Sequence, residues 1–350
     1  MTERAGASGI MADMRAQKQR VGIRDVARHA GVSLSSVSRV LDDHADVSEA
    51  MRRRVLDSVG ALGYTPDPLA RSMRKGRTMT VGFVAGDTSN PLISQIAAAA
   101  QRRLRESGYS LLVANSGNDS HEEATNIRLL HHRKVDGMLL SIADETSDEL
   151  HAALDELAIP VVLVDREQEG AELSTVRSDH ALGMSQAVGH LRDLGHSRIA
   201  LINGNPRVRP SRERAQALRA ASSEDSTLVV SGTFSESHGY DSTMALLQRR
   251  DRPTTIIAGS NQILVGVLRA LRDLRLEIPD DISLVTCDAT PLAELNRPEI
   301  ATILRDPPQM GREAADLLVR NMTGEAPASR VLPTRFVAGA SCARVEEEET

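Results

Sequence analysis

The chain has 350 residues, of which 41% are apolar but only 2% aromatic, with no tryptophan. That is enough for two or three domains, with cores built from Val, Leu, Ile and Ala. A formal net charge of −6 argues against a nucleic-acid binder if it is spread evenly. Two cysteines exclude a disulfide framework and fit a reducing cytosol, and no apolar run is long enough to span a membrane or to serve as a secretion signal.

The charge is not spread evenly. From Arg15 to Arg77 there are 13 Lys/Arg against 7 Asp/Glu, whereas from Thr78 onward there are 28 against 39. A basic N-terminal segment on an acidic body points to a polyanion partner for one end only. Residues 1–19 are expected to be a disordered extension, with Met11 and Met14 as alternative starts, and residues 346–350 a solvated acidic tail.

Three helices are expected first. In "IRDVARHAGVS", Val26, Ala27 and Ala30 share a face, and Gly31 supplies a sharp turn. Ser33 is placed to cap a second helix whose inner face is Val37, Val40 and Leu41. Ser48 is placed to cap a third, with Val55, Leu56, Val59 and Leu62 inward, and Gly63 stops it. A helix, a tight turn and a second short helix match a helix-turn-helix. The outward residues of the second helix are then Leu34, Ser35, Ser38 and Arg39, short hydroxyls and a guanidinium suited to base edges and phosphates. An inert three-helix bundle is the plainer reading, and the local charge of +6 weighs against it.

After the basic "RKGRT", apolar runs alternate with helix-period stretches: "TVGFVAG", "YSLLVAN", "DGMLLS", "PVVLVD", "IALING", "TLVVSGTF", "TTIIAG" and "ISLVTCD". This alternation predicts parallel sheets wrapped by helices, with more chain than one open sheet uses. Ligands bind such sheets beyond the carboxyl ends of the strands. That places Asp87, Asn90, Asn115, Ser141, Asp165, Asn203, Ser260 and Asp288 at a crevice. Each alone reads equally well as a helix cap; together they predict a cleft for a polar ligand. No metal-ligand spacing, Walker loop, G-x-G-x-x-G or G-x-S-x-G motif is present, so neither a cofactor nor a metal is expected. His131 and His132 read as solvated helix residues. An α/β enzyme with an accessory helical domain remains the reading from another class, and a secreted sugar-binding protein fails for want of a signal peptide.

Val21–Arg77, with "DVARHAGVS…VSRVL…VS…R.RV…LGY.P…AR", closely resembles, without gaps, the N-terminal segment of the LacI/GalR family of bacterial transcriptional regulators. The resemblance implies a DNA-binding helix-turn-helix domain over 20–66, with Ser33, Leu34, Ser35, Ser38 and Arg39 at the DNA. It further implies a hinge helix in 67–77, "DPLARSMRKG", lying in the minor groove through Leu69, Ala70 and Met73. Met73 stands where the family usually has Leu, Asp42 replaces a common Asn, and Gly22 replaces the usual Thr cap, which predicts a frayed first helix.

Further on, "DTSNP", "VDGMLLS", "PVVLVDR", "SDHALG", "HLRDLGHSRIALING" and "DISLVTCDA" resemble the family's periplasmic-binding-protein-like core, here 78–345. The implied core has two lobes joined by three crossovers: 78–177 with a return near 305–332, and 178–304 with the C-terminal strand. By the same resemblance Arg214 clamps effector oxygens and Asp288 accepts from effector hydroxyls. Asp165 is a first-lobe polar contact, and Phe234 lies under the effector ring. Ser260 stands in place of the usual Asn, and Leu92 with Ile93 in place of the usual Phe pair. The implied function is a cytoplasmic homodimeric repressor, not an enzyme, that binds a pseudo-palindromic operator under control of a small polar effector. A sugar is the expected effector and a nucleoside or purine the alternative. An anionic effector follows only if Arg207, Arg209 and Arg212 face the cleft; a solvated basic loop is the simpler reading of those three.

Overall fold

The computed structural model describes residues 21–65, 76–168, 170–221 and 227–345. The expected hinge residues Leu69, Ala70 and Met73, the extension 1–19 and the tail 346–350 lie outside the described residues. The chain divides into two compact units, residues 1–78 and 79–350.

The first unit holds α1 (Ile23–Ala30), α2 (Leu34–Leu41) and α3 (Glu49–Leu62). Gly31 ends α1 in the left-handed region at φ +60°, where its lack of a Cβ makes the turn into α2 cheap. Ser33 Oγ accepts from Ser36 N at 3.1 Å, and Ser48 Oγ from Met51 N at 3.4 Å, so both expected caps form. Val26, Ala27, Ala30, Val37, Val40 and Val55 make the core. Leu56 corrects the sequence reading: it is 50% exposed, because it lies 100° round the helix from Val55 and off the stripe continued by Val59 and Leu62. At the start of α1 the cap residue Gly22 has no side chain to offer, yet Asp25 Oδ2 accepts its N–H at 2.9 Å and ties the first turn.

The second unit runs β1 (Thr80–Ala85), α4 (Pro91–Glu106), β2 (Ser110–Asn115), α5 (Ser120–His132), β3 (Gly137–Ser141), α6 (Asp148–Asp155), β4 (Val161–Val164) and β5 (Ser174–Asp179). It continues with α7 (His180–Asp193), β6 (Ile199–Asn203), α8 (Arg209–Ala220), β7 (Thr227–Ser231), α9 (Glu236–Leu247), β8 (Thr255–Ala258), α10 (Asn261–Leu274), β9 (Ser283–Cys287), α11 (Pro291–Leu295) and β10 (Ala301–Leu304). It closes with α12 (Pro307–Met322), β11 (Ser329–Pro333) and β12 (Arg335–Val337). All eight apolar runs singled out in the sequence form strands.

Two sheets result, ordered β11-β5-β4-β3-β1-β2 and β12-β10-β9-β8-β6-β7. Their pairings are parallel except that β12 runs antiparallel to β10. The two orders are the same, so each lobe is an open doubly wound sheet with a switch point, between β1 and β3 in one and between β6 and β8 in the other. Apolar layers cover both faces of each sheet, around Phe83, Leu139 and Leu318 or Val84, Ile127 and Leu163 in the first lobe. In the second they form around Leu191, Leu201 and Leu218 or Ile202, Ile256 and Leu284. The chain passes between lobes three times, at Asp179–His180, at Arg305–Asp306 and at Thr334. Among the described residues no helix is long and apolar enough to cross a membrane.

Candidate ligand cleft and nucleic-acid interface

The two switch points face each other across a cleft with about 640 Å³ of space free of protein atoms. Six of the eight polar strand-end residues line it: Asp87, Asn90, Ser141, Asp165, Ser260 and Asp288. The other two are employed locally. Asn115 Oδ1 accepts from Thr88 N, bracing the loop after β1, and Asn203 Nδ2 donates to Ser211 O. Leu92 and Ile93, Arg214 and Phe234 also line the cleft, so the six residues expected at the effector come together in one place.

Phe234 is seated because Gly204 leaves room for it; a Cβ on residue 204 would lie 2.1 Å from the ring. Ser260 caps α10, accepting from Ile263 N at 3.2 Å, which leaves its hydroxyl proton free to turn toward a ligand. Arg214, projecting from α8, is buried and donates from Nη1 to Gly259 O at 2.9 Å. Among the described residues no carboxylate lies within ion-pair reach of it. It is a desolvated cation held by one backbone carbonyl, and it lines the cleft with donors to spare.

Asp165 and Asp288 occupy equivalent positions, each just past the fourth strand of its lobe. Both take positive φ, +54° and +77°, and each donates its N–H across to the next strand, to Val176 O and Ile303 O. Arg305, in the second crossover, joins them: Nη1 lies 2.6 Å from Asp165 Oδ2 and Nε 2.5 Å from Asp288 Oδ1. Asp165 also accepts from Ser178 N and His180 Nε2, both at 3.0 Å. Burial alone would raise its pKa; His180 and Arg305 more than offset this and hold it well below the usual carboxylate range. Burial, with Arg214 and Arg305 nearby, pushes His180 down to about 4 despite the adjacent carboxylate, so the imidazole is neutral and donates. Burial likewise opposes ionisation of Asp288, and Arg305 reverses the sign. Three donors therefore already hold Asp165, whereas Asp288 Oδ2 has no hydrogen-bond partner among the described residues.

Side chains also cross the cleft at both edges. Asn261 Nδ2 donates to Asn90 Oδ1 at 2.9 Å, and Gln262 Nε2 to Asp87 Oδ2 at 2.5 Å. At the other edge Arg207 pairs with Asp144 at 2.8 Å, and Arg212 with Glu145 and Glu167, both at 2.7 Å. Arg209 is buried, donates to Ser178 O and pairs with Glu213. Arg209 and Arg212 thus depart from the expectation of a solvated basic loop, whereas Arg207, 65% exposed, keeps to it. The first lobe presents Asp144, Glu145 and Glu167 opposite these arginines, a complementarity between segments some 40 to 70 positions apart that local sequence does not display.

In the first unit, Leu34, Ser35 and Arg39 are exposed on α2, Leu34 by 45%. Ser38 is half-buried and donates to Asp42 Oδ2 at 3.3 Å. The Ser33 hydroxyl is engaged in capping, with Ser35 Oγ and Ser36 Oγ each 2.8 Å away.

Residues 22–67 match the family of bacterial regulatory proteins of the lacI type, and residues 188–342 match a periplasmic binding protein-like domain. The ribose operon repressor of Escherichia coli (strain K12) is 32% identical over 307 residues, 86% of this chain and 93% of that protein. This chain belongs to the lacI family. The lac repressor dimer bound to operator and the anti-inducer ONPF superposes with a TM-score of 0.83 at 25% identity, over 93% of this chain and all of that one. The complex of the transcriptional regulator CelR with cellobiose superposes at 0.69 with 30% identity, over 92% and 100%. The lacI-family chain is thus a DNA-binding transcriptional regulator rather than an enzyme.

Sequence reasoning missed two residues that shape this regulator's cleft. His180 opens α7 directly after β5, a strand without an apolar run, and Arg305 sits in "ILRDPP", where the paired prolines mark a boundary without revealing that it crosses between lobes. A charged residue between a strand and a Pro-initiated helix was the available signal.

Proposed function

We propose that this lacI-family regulator is a homodimeric repressor whose affinity for a pseudo-palindromic operator is set by a small neutral polyol, a sugar, seated between its lobes. Arg214 carries the reading: a buried guanidinium with one carbonyl partner, in a cleft that also offers Asp288 Oδ2 as acceptor and the Phe234 ring as apolar floor. A sugar ring presents acceptor and donor hydroxyls around its rim and C–H groups on its face, which is the complement of that set. Charge supports a neutral ligand over an anion, since Arg166, Arg214 and Arg305 balance Asp87, Asp165 and Asp288 among the lining residues. Phe234 is the one aromatic side chain in the lining, and Leu92 and Ile93 form another wall. This favours a sugar over a purine, which gains from aromatic stacking on its planar faces.

Leu34, Ser35 and Arg39 of α2 reach base edges in the major groove, with half-sites of the two-fold symmetric dimer roughly 34 Å apart. Leu112 and Val113 on edge strand β2 are 44% and 49% exposed, an apolar strip suited to a second copy. The protein acts in the cytoplasm at the nucleoid. The effector alters operator affinity by binding one lobe arrangement better than another. The test is operator affinity titrated with D-ribose, other monosaccharides and nucleosides. Arg214→Ala is expected to keep operator binding and lose the response; a variant responding at the wild-type midpoint refutes the assignment.

A further inference from the structure

Arg305 closes one end of the cleft. Its side chain, 7% exposed, spans Asp165 of the first lobe and Asp288 of the second. Beyond it lies a second space, a groove open to solvent of about 1130 Å³, lined by Pro307, Pro308, Gln309, Pro333 and Arg335 around the second and third crossovers. The two spaces have three lining residues in common: Leu92, Asp288 and Arg305. Leu92 is on α4 and Asp288 is fixed at the end of β9, so the guanidinium is the movable part of the partition.

We infer that Arg305 determines the length of the effector, restricting the cleft to a single sugar ring by walling off the adjoining space and by occupying one oxygen of Asp288. This rests on the sugar reading above and adds a specificity residue to it. The architecture itself does not impose the limit, since the CelR regulator of similar fold holds cellobiose. A second ring needs both room and acceptors for its hydroxyls. Arg305 denies the room with its side chain. It denies the acceptors by taking Asp165 Oδ2 and Asp288 Oδ1, the carboxylate oxygens nearest the partition. Removing it supplies both at once, because the space joins and the two carboxylates, one still held by His180 and Ser178 N, become able to accept from hydroxyls. An unpaired buried acceptor is costly, so the gain is expected from a ligand able to fill the vacated positions.

The experiment uses the full chain, titrated calorimetrically with D-ribose, D-glucose, D-galactose, cellobiose, lactose and maltose, in wild type, Arg305→Gln and Arg305→Ala. Gln keeps a neutral donor between the carboxylates and guards against loss of folding in the Ala variant, which is checked by a cooperative thermal melt. The wild type is expected to bind at least one monosaccharide and to disfavour every disaccharide by about tenfold or more. Arg305→Gln is expected to shift that ratio toward disaccharide by about tenfold. A wild type that binds a disaccharide as tightly as its best monosaccharide overturns the inference, as does a folded variant with an unchanged ratio; either result leaves the sugar reading standing. A wild type that binds none of the six overturns the sugar reading and the inference with it.

Discussion

Glu123 is fully buried on α5, and both its carboxylate oxygens accept from Ala143 N, at 3.0 and 3.2 Å. Burial raises its pKa from 4.5 to about 7, against the lowering effects of the Ala143 amide and Arg166, and Asp144 adds a smaller push upward. A carboxyl whose folded pKa exceeds its unfolded value stabilises the native state at low pH only. Between about 4.5 and 7 the native chain keeps a proton that the unfolded chain has lost, so this group's contribution falls as pH rises and is constant above 7. The full excursion is roughly 3 kcal/mol. His180, lowered to about 4, has the opposite sign: its buried neutral form makes stability rise with pH up to its unfolded value of 6.5. The two slopes oppose each other over most of the range, so the wild-type profile alone hides both. The difference between Glu123→Gln and wild type isolates Glu123, because Gln keeps an acceptor for Ala143 N and leaves His180 untouched. Urea denaturation is expected to give near equality at pH 4.5 and a more stable variant by roughly 3 kcal/mol at pH 8. A constant difference across that range places the proton elsewhere.

At the scale of elements, α2 shows how two neighbouring hydroxyls divide. Ser33 is tied into its cap, whereas Ser35 and Arg39 stand on the exposed face. Ser33→Ala is expected to lower the stability of the first unit by about 0.5–2 kcal/mol with little change in base discrimination. Arg39→Ala is expected to leave the melt unchanged and to cost on the order of 1–3 kcal/mol of operator affinity, with specificity relaxed at one position per half-site. Binding-site selection on both variants, alongside thermal melts, separates a cap from a base reader, and relaxed specificity in Ser33→Ala would reverse that division. The same two signals, a capping Ser and a helical apolar period, are why the three short helices were legible in sequence; Leu56 was misplaced because an apolar residue beside a core position looks like core. In the second unit the strands read correctly are continuous apolar runs buried on both faces, or edge runs such as "SLLVAN" that are equally apolar. Four were left unread: β5 is "STVRSD", β11 is "SRVLP" at a sheet edge and β12 has three residues, all without that signature, whereas β10, "ATIL", carries it over four residues only. They flank the three crossovers, so missing them meant missing Arg305 and His180. The strand-end positions of Asp165, Ser260 and Asp288 were legible, because strand ends can be read locally. That Asp165 is already held by Ser178, His180 and Arg305 was not, since those partners come from other parts of the chain.

Across the whole two-lobed unit, the contacts that span the cleft differ in burial, and that difference predicts which of them keep the lobes together. At one edge the loop after β3 meets the loop after β6. Glu145 N donates to Arg207 O at 3.1 Å, and Asn205 Nδ2 donates to Ala143 O at 2.9 Å. Two arginines reinforce these bonds in unlike surroundings. Arg207 is 65% exposed beside Asp144, so water and salt screen the pair and its side chain holds little. Arg212 is 35% exposed and meets Glu145, whose carboxylate is 4% exposed, together with Glu167. Removing Arg212 leaves Glu145 desolvated without its cation, which costs roughly 1–3 kcal/mol, between the values for surface and buried pairs. The lobes are expected to part there more often. Hydrogen exchange at the Glu145 amide, which donates across the cleft, then quickens by about fivefold or more in Arg212→Ala, since each 1.4 kcal/mol of lost opening free energy is a factor of ten. In Arg207→Ala exchange at the same amide stays near the wild-type rate, because the backbone bond from Glu145 N to Arg207 O does not depend on that side chain. Raising sodium chloride to about 0.5 M is expected to leave wild-type exchange at this amide nearly unchanged, since the Debye length shortens chiefly the reach of the exposed pair. Equal acceleration in the two variants, or a strong salt effect on the wild type, would mean that the edge is held by screened surface charge and not by the buried Glu145–Arg212 contact.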